Sequence, residues 1–239
     1  MIYSFYDPPV EERLKDHINL ALSNINAEGR LIRQGMKLTD DFLKILRLSI
    51  IFHDFGKVVF NQHAFREGKR LTFPGHEVIS CWAVYRHFNV GQYLKDEITG
   101  RKLIALSVLM HHHPMELRER INILKKNEME VDEETFNLFW EELNDIYIDN
   151  VRLNRVNVSE IAWETQRIYV ELWKEIWMNS SPKIRKIFLL NLQGLVACDY
   201  TSANKLRGGD KGFINVIRKF NDSFMSSRQG MGREDRDHT

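Results

Sequence analysis

The sequence predicts an all-α fold, a helical bundle, and three observations support this prediction. Alternating apolar and polar runs, which are typical of half-buried strands, are scarce, whereas apolar residues recur at helical spacing along most of the chain. Only five prolines interrupt the 239 residues. Hydrophobic residues make up 43% and charged residues 28%, so a chain of this length can bury a substantial core.

The first two predicted helices carry long apolar stripes. Asp7 is predicted to cap the first helix, with Pro8 at its first position. The stripe of this helix consists of Leu14, His17, Ile18, Ala21, Leu22 and Ile25. A second helix is predicted from about position 39 to Gly56, and because it is apolar almost all round it belongs in the middle of the core. The segment Asn61–Pro74 is predicted to be an exposed loop.

The later helices follow the same periodicity. A third helix is predicted to open around Gly75 and His76. A fourth is predicted to run from about Arg101 to the histidines before Pro114, because a proline disfavours helix in the residue that precedes it. Further helices are predicted at Glu133–Asp145, Ser159–Met178, Pro182–Asp199 and Phe213–Phe224. Residues 226–239 are polar and predicted to be disordered, which leaves one domain over residues 1–225.

The cysteine spacing and the length of the apolar runs argue against a disulfide-rich protein, a zinc ribbon and a membrane protein, and the net charge argues against a global attraction to nucleic acid. The formal net charge is +1, so any binding of nucleic acid must come from local basic patches. Cys81 and Cys198 lie far apart without CxxC spacing, which favours two buried thiols in a reducing compartment over a disulfide or a zinc ribbon. No apolar run approaches the roughly 20 residues that span a bilayer, and the first residues do not follow the pattern of a signal peptide. We therefore expect a cytoplasmic protein without membrane contact.

The adjacent pair His53-Asp54 lies at the end of the most apolar helix. Burying a carboxylate without a partner costs several kcal/mol, and a metal ion would supply that partner. The alternative is that both side chains cap the helix end and face water. His17 and Asp199 also fall on apolar stripes. A lone histidine there is more often a satisfied core residue than a ligand, whereas a buried aspartate is harder to explain without a cation.

Further histidines extend the set of candidate ligands. His76 opens a helix and shares a face with Ser80 and Ala83; taken alone, it would be interpreted as a surface cap. The triplet His111-His112-His113 points in three directions, so at least one of its rings should face inward. His111 continues a stripe of its helix and is therefore expected to face the core. The remaining histidines, His63, His87 and His238, are expected at the surface.

The ordered set His17, His53-Asp54 and Asp199 resembles the H…HD…D signature of the HD superfamily of metal-dependent phosphohydrolases. With His76 and His111-His112 added, the chain is more specifically similar to the CRISPR-associated HD nuclease, which occurs as a separate small protein or fused to the helicase of type I interference systems. The resemblance extends from about position 10 to position 205. Its supporting pieces are Asp54-Phe55-Gly56-Lys57 (HDxGK), His76-Glu77-Val78-Ile79-Ser80 (HxxxS) and Asp199-Tyr200-Thr201-Ser202-Ala203. One departure, three histidines followed by proline instead of two followed by glycine, leaves the ligand register at 111–113 open.

The resemblance implies an HD-domain helical bundle with a metal site at helix ends in the core. Two divalent metal ions are implied, and Asp54 would bridge them. The first would be held by His17, His53, Asp54 and Asp199, and the second by Asp54, His76, His111 and His112. Two ions so placed serve in-line displacement at phosphorus. A set of donors this rich in imidazole suits Mn, Fe, Co or Ni better than Mg.

The expected catalytic residues are Asp54 and Lys57. Lys57 could neutralise a phosphate oxygen as charge builds on it, and the alternative is an exposed lysine after a helix end. The resemblance implies cleavage of single-stranded DNA, with RNA as a further candidate. Because the chain has no GxxxxGK[ST] motif, unwinding would come from a separate superfamily 2 helicase, which would link the protein to a crRNA-guided surveillance complex.

Other interpretations of the chain stay open at this point. Arg66, Lys69 and Arg70, together with Lys205 and Arg207, could guide a phosphodiester backbone towards the metals, or they could form an ordinary solvated face. The activity could instead be that of an HD phosphohydrolase acting on nucleotides: a nucleotidase, a deoxynucleotide triphosphohydrolase or a cyclic-nucleotide phosphodiesterase. A non-catalytic binding subunit is a second alternative, against which the complete set of ligands argues.

Overall fold

A computed structural model describes residues 1–112, 117–147, 149 and 151–207 of the chain. Within these ranges the fold is mostly helical, as predicted, with two small two-stranded antiparallel sheets added. The predicted helix Phe213–Phe224, the polar tail 226–239 and His113 lie outside the described residues.

The elements follow one another in this order. The first half contains β1 (Tyr3–Asp7), β2 (Val10–Arg13), α1 (Leu14–Ser23), α2 (Arg30–Met36), α3 (Phe42–Phe52), α4 (Lys57–Ala64), α5 (His76–Arg86) and α6 (Glu97–Met110). The second half contains α7 (Leu117–Leu124), β3 (Glu130–Val131), α8 (Glu133–Glu142), β4 (Val156–Asn157), α9 (Val158–Leu172), its π-helical continuation (Trp173–Met178) and α10 (Pro182–Arg207).

The prediction of an N-terminal helix capped by Asp7 is wrong. Residues Tyr3–Asp7 pair with Val10–Arg13 as a hairpin, and the two prolines lie in its turn. The side chains of β1 alternate between buried and partly buried, and its aromatic residues are of the kind that favours strands. Helix α1 begins only at Leu14, and from there the predicted stripe is buried at Leu14, His17, Ile18 and Ala21. The hairpin thereby places its own polar side chains beside the core.

The predicted helix from position 39 to Gly56 is in fact two helices joined by a tight turn. Helix α3 ends at Phe52 and α4 begins at Lys57, so the His53-Asp54 pair lies in the turn between them. Because α4 continues to Ala64, the loop begins only after it, and the predicted start of the loop at Asn61 is wrong. A Cβ at Gly56 would lie 2.2 Å from the carbonyl oxygen of His76. Only glycine allows these two segments to approach so closely.

The other predicted helices are present with different ends. Helix α6 begins at Glu97 rather than Arg101, because the Asp96 side chain accepts a hydrogen bond from the Thr99 N–H and so caps it. Helix α10 passes Asp199 and continues to Arg207. Helices α2 and α7 were not predicted, since seven and eight residues are too few to establish a helical period.

A buried polar contact joins α3, α6 and α10. The side-chain amide of Asn191 donates to Ser49 Oγ at 2.9 Å and to Ser107 Oγ at 2.8 Å. Ser49 lies one helical turn before His53, and Ser107 lies one turn before His111. The contact therefore fixes the relative height of the helices that carry predicted metal ligands.

The remaining predictions on single residues have mixed outcomes. Cys81 and Cys198 are buried and unpaired, as predicted. His63 is exposed, but His87 is partly buried against Trp82, with 4.5 Å between the ring centroids. His238 lies outside the described ranges. None of the helices that the structure describes combines the length and the apolar character needed to cross a membrane.

Candidate metal centre

Seven side chains that the resemblance assigns as metal ligands meet in one place in the core. They come from α1, the turn after α3, the start of α5, the turn after α6 and the middle of α10: His17, His53, Asp54, His76, His111, His112 and Asp199. Six of them are buried, and His112 is partly exposed. The cluster therefore has its most accessible edge at His112.

The first group of ligand atoms comprises the Nε2 atoms of His17 and His53 and one carboxylate oxygen each of Asp54 and Asp199. His17 Nε2 lies 3.1 Å from Asp199 Oδ1 and 3.5 Å from Asp54 Oδ2. The corresponding distances from His53 Nε2 are 3.6 Å and 3.4 Å. Atoms that bind one ion at 2.0–2.2 Å lie about 3.0–3.6 Å from one another. One ion therefore fits among these four atoms.

The second group comprises ring nitrogens of His76, His111 and His112, which lie within 4.8 Å of one another. His76 Nε2 lies 3.2 Å from His112 Nε2 and 3.1 Å from Asp54 Oδ1. Asp54 thus directs Oδ2 towards the first group and Oδ1 towards the second. This is the arrangement that a bridging carboxylate requires.

Hydrogen bonds donated by Nδ1 orient four of the imidazole rings. The Nδ1 atoms of His53, His76 and His111 lie 2.6–2.8 Å from backbone carbonyl oxygens, each three residues earlier in the chain: those of Ile50, Phe73 and Val108. His17 Nδ1 lies 2.9 Å from Glu12 Oε1. A carbonyl oxygen can only accept a hydrogen bond, so Nδ1 carries the proton and, in the neutral ring, Nε2 keeps the lone pair that a metal needs.

Several polar atoms that face the cluster lack a hydrogen-bond partner among the residues that the structure describes. These atoms are His17 Nε2, His53 Nε2, His111 Nε2 and Asp54 Oδ1. A buried polar atom without a partner costs about 1–3 kcal/mol. Four of them in one cluster are explained if cations bind between them. The side chains present therefore fit two divalent ions, and five imidazoles beside two carboxylates suit Mn, Fe, Co or Ni better than Mg.

Lys57 is buried beside the Asp54 carboxylate, so the alternative of an exposed lysine is wrong. Its ammonium group donates to Asp54 Oδ2 at 2.7 Å and to Ser4 Oγ at 3.2 Å. Burial alone would raise the pKa of Asp54, but the charges of His53 and Lys57 and the contact with His76 hold it well below its usual range. The carboxylate is therefore ionised at neutral pH.

His17 and His111, one from each group, differ in their protonation. Burial alone would lower the pKa of His17, but the contacts with Asp199 and Glu12 raise it to about 9. Burial and the nearby His53 lower the pKa of His111 to about 3. With no metal bound, His17 therefore carries a second proton at neutral pH, whereas His111 is neutral.

Sequence reasoning missed the residues that hold the ligands from behind. Glu12 is buried on β2, in a segment that was predicted to be helical, so its contact with His17 was not foreseeable from the pattern. Glu77 is buried next to His76, and its Oε1 lies 2.8 Å from an Nη atom of Arg120. Ser4, which contacts both Asp54 and Lys57, lies on the same unpredicted hairpin.

The segments that carry the resemblance to the HD superfamily contact one another directly. The Gly56 N–H donates to Ser80 Oγ at 2.8 Å, which joins the HDxGK and HxxxS pieces. Ser202 Oγ donates to the carbonyl oxygen of His17 at 3.0 Å, which joins the late aspartate piece to the first histidine. The serines in these motifs were therefore the available signal for two supporting contacts.

Comparison with known proteins assigns no family: no protein-family model matches the chain, and no curated protein matches it. The contacts among the seven clustered histidine and aspartate side chains are what indicates a metal centre.

The basic residues proposed as guides for a phosphodiester backbone are exposed where the structure describes their side chains. Arg66, Lys69 and Arg70 follow α4, and Arg70 Nε lies 3.7 Å from Asp7 Oδ2. Lys205 donates to Asn24 Oδ1 at 3.2 Å. The side chain of Arg207 lies outside the described part of the chain. Exposed basic side chains fit an ordinary solvated face as well as a surface that guides a phosphodiester backbone.

Proposed function

We propose that the protein is a metal-dependent phosphodiesterase of the HD superfamily that cleaves single-stranded nucleic acid. The observation that carries this proposal is the position of Asp54, whose two oxygens reach two separate groups of imidazoles, at 3.4–3.5 Å on one side and 3.1 Å on the other. Two divalent ions, when bound there, would supply the Lewis-acid chemistry of phosphodiester hydrolysis.

The residues of the chain have distinct roles in this proposal. One ion would be held by His17, His53, Asp54 and Asp199, and the other by Asp54, His76, His111 and His112. Lys57 lies beside the bridging carboxylate in a site that excludes most water, where a cation stabilises negative charge far more than it does in bulk water. It therefore stabilises the charge that develops on the phosphate, while Ser4 holds its ammonium group in position.

The substrate and partners follow from the resemblance. Single-stranded DNA is the proposed substrate, with RNA as a second one, in CRISPR antiviral defence. The resemblance implies that duplex DNA is opened by a separate superfamily 2 helicase that acts with the crRNA-guided surveillance complex. Blunt duplex DNA should therefore resist the isolated protein and be degraded once helicase and ATP are added.

A nuclease assay across a series of metals tests the proposal. Labelled single-stranded DNA, duplex DNA and RNA are incubated with the protein and Mg, Mn, Fe, Co or Ni. We expect single strands to be cut, with Asp54→Ala inactive and Asp40→Ala, which changes an exposed carboxylate, fully active. Turnover of free nucleotides without cleavage of oligonucleotides would replace the proposal by a nucleotide phosphohydrolase. A protein that binds metal yet cuts neither kind of substrate would be a non-catalytic subunit.

A further inference from the structure

A groove on the surface between α7 and α9 lies outside the metal centre. One cavity, of about 560 Å³, lies between the two helices, and an adjoining one, of about 620 Å³, is lined by α9 alone; both include Trp163, Gln166 and Val170. Apolar side chains, Ile121 among them, form part of the floor. We call this feature the α7–α9 groove.

The charged residues that line the α7–α9 groove are all basic. They are Arg118, Lys125 and Arg167, and no carboxylate is among the described residues that line either cavity. The groove therefore complements a polyanion, although the chain as a whole is nearly neutral.

Trp163 presents a stacking surface within this groove. Its side chain is 58% exposed, which is unusual for so large an apolar group. The Lys125 ammonium group lies 3.4 Å from the centroid of the indole ring and also donates to Gln166 Oε1 at 2.6 Å. The cation covers one face of the ring and holds it in place, while more than half of the Trp163 surface remains exposed and available to a planar ligand. Exposed aromatic rings interleaved with basic side chains are typical of sites that bind single-stranded nucleic acid.

Helix α7 connects the groove to the metal centre. Arg120, in the first turns of α7, forms an ion pair with Glu77, the neighbour of His76. The carbonyl oxygen of Arg120 would lie 3.3 Å from a Cβ at Gly75, so α7 packs directly on the segment that leads into α5. Lys125 lies only about 8 Å further along the helix axis. The groove therefore lies within about two helical turns of Arg120, the residue that contacts Glu77 next to His76.

We propose that the α7–α9 groove binds the single strand a few nucleotides from the bond that is cleaved, with a base stacked on Trp163 and phosphates on Arg118, Lys125 and Arg167. This inference rests on the proposed function. It adds a place where the strand is held without sequence preference, because every base has a face that can stack and every nucleotide has a phosphate.

Binding of a fluorescein-labelled oligothymidylate, measured in EDTA so that no cleavage occurs, tests the inference. Trp163→Ala should weaken binding at least about fivefold, the lower end of what one stacked base contributes, and Trp163→Phe should restore most of it. Arg118→Gln should reduce the slope of log affinity on log salt concentration by about 0.7 for each phosphate contact that it removes. Ile98→Ala, which shortens another exposed apolar side chain, serves as the control.

Hydrolysis of bis(p-nitrophenyl) phosphate separates this inference from the proposed function. That small diester cannot span from the metal centre to the groove, so the groove variants should hydrolyse it like the wild type. Unchanged oligonucleotide binding in Trp163→Ala and Arg118→Gln, with diester hydrolysis intact, would overturn the groove and leave the nuclease standing. Binding that depends on the groove without any diester hydrolysis would instead overturn the proposed function and leave a nucleic-acid-binding surface.

Discussion

His17 and His112 lie in different groups of the candidate metal centre and are held in opposite ways. His17 is fully buried, and its ring is fixed from behind by Glu12 and Ser202. His112 is partly exposed, and its Nδ1 has no hydrogen-bond partner within the described ranges. Its position follows the end of α6 at Met110, and the segment 113–116 beyond it lies outside the described residues.

Because the two rings are held so differently, the two ions are not expected to bind equally well. A ligand that is already oriented loses little conformational freedom on binding, whereas a loosely held one must be ordered first. A carboxylate behind an imidazole also makes the ring a stronger donor. We therefore expect the first group to bind its ion more tightly than the second.

Removing Asp54 should give the largest effect, because this residue belongs to both groups of ligand atoms. Asp54→Ala takes one donor from both groups and leaves the Lys57 ammonium group beside them without its carboxylate. We expect both ions to be lost and cleavage of single-stranded DNA to fall below detection, while the helical content seen by circular dichroism stays unchanged. A folded variant that cuts at the wild-type rate would refute the assignment of the site.

His112→Ala should remove one ion and not the other. Its Nε2 contacts His76 in the second group, and it is not among the residues that surround the first. Metal analysis should therefore find about half of the wild-type content, with activity strongly reduced, and His111→Ala should act in the same direction. His113→Ala is the matched control and should change little. Loss of metal in the His113 variant alone would shift the register of the ligands by one residue.

Glu12→Gln should weaken the binding of the first ion and leave the second unchanged. It keeps the size of the side chain but removes the charge behind His17. Changes of this kind typically cost 10- to 100-fold in metal affinity, and the loss should be confined to the first ion. Competition titrations with a chelator of known affinity measure both ions. Glu11→Gln, on the exposed neighbour in the same strand, provides the control. An equal loss at both ions would show that Glu12 stabilises the fold rather than one ligand.

The pH dependence of metal binding should differ between the groups. The raised pKa of His17, about 9, means that the first ion must displace a proton at neutral pH. The affinity for that ion should therefore rise with pH by up to tenfold per unit between about pH 7 and 8, and level off above about 9. The pKa values of His111 and His112 are lowered, so these rings are neutral over this range and the affinity for the second ion should change less. Calorimetric titration at several pH values checks this, and a parallel rise for both ions would contradict it.

The sequence was sufficient to predict which residues come together at the candidate metal centre, but not which residues hold those side chains in position. The candidate ligands were predictable because their order along the chain resembles the H…HD…D signature; taken alone, His17 would be interpreted as a core residue and His76 as a surface cap. The contact of Glu12 with His17 depends on a hairpin of two paired strands. The sequence pattern in this segment predicts a helix instead. The sequence does not predict the position of the Lys57 side chain, because Gly56 indicates only the end of one helix. It also precedes the start of the next helix, which turns Lys57 back onto Asp54.

The ring contacts of His53, His76 and His111 have a consequence for how the protein can vary. Each ring is oriented by a carbonyl only three residues earlier, so its direction is set within one turn of chain and not by the packing of distant helices. Exchanges among apolar side chains between the helices should therefore be tolerated by the ligands. A one-residue insertion or deletion next to a ligand would rotate its ring by about 100°. Natural length variation should accordingly fall in loops such as 24–29 and 66–74 and spare the turns beside the three histidines.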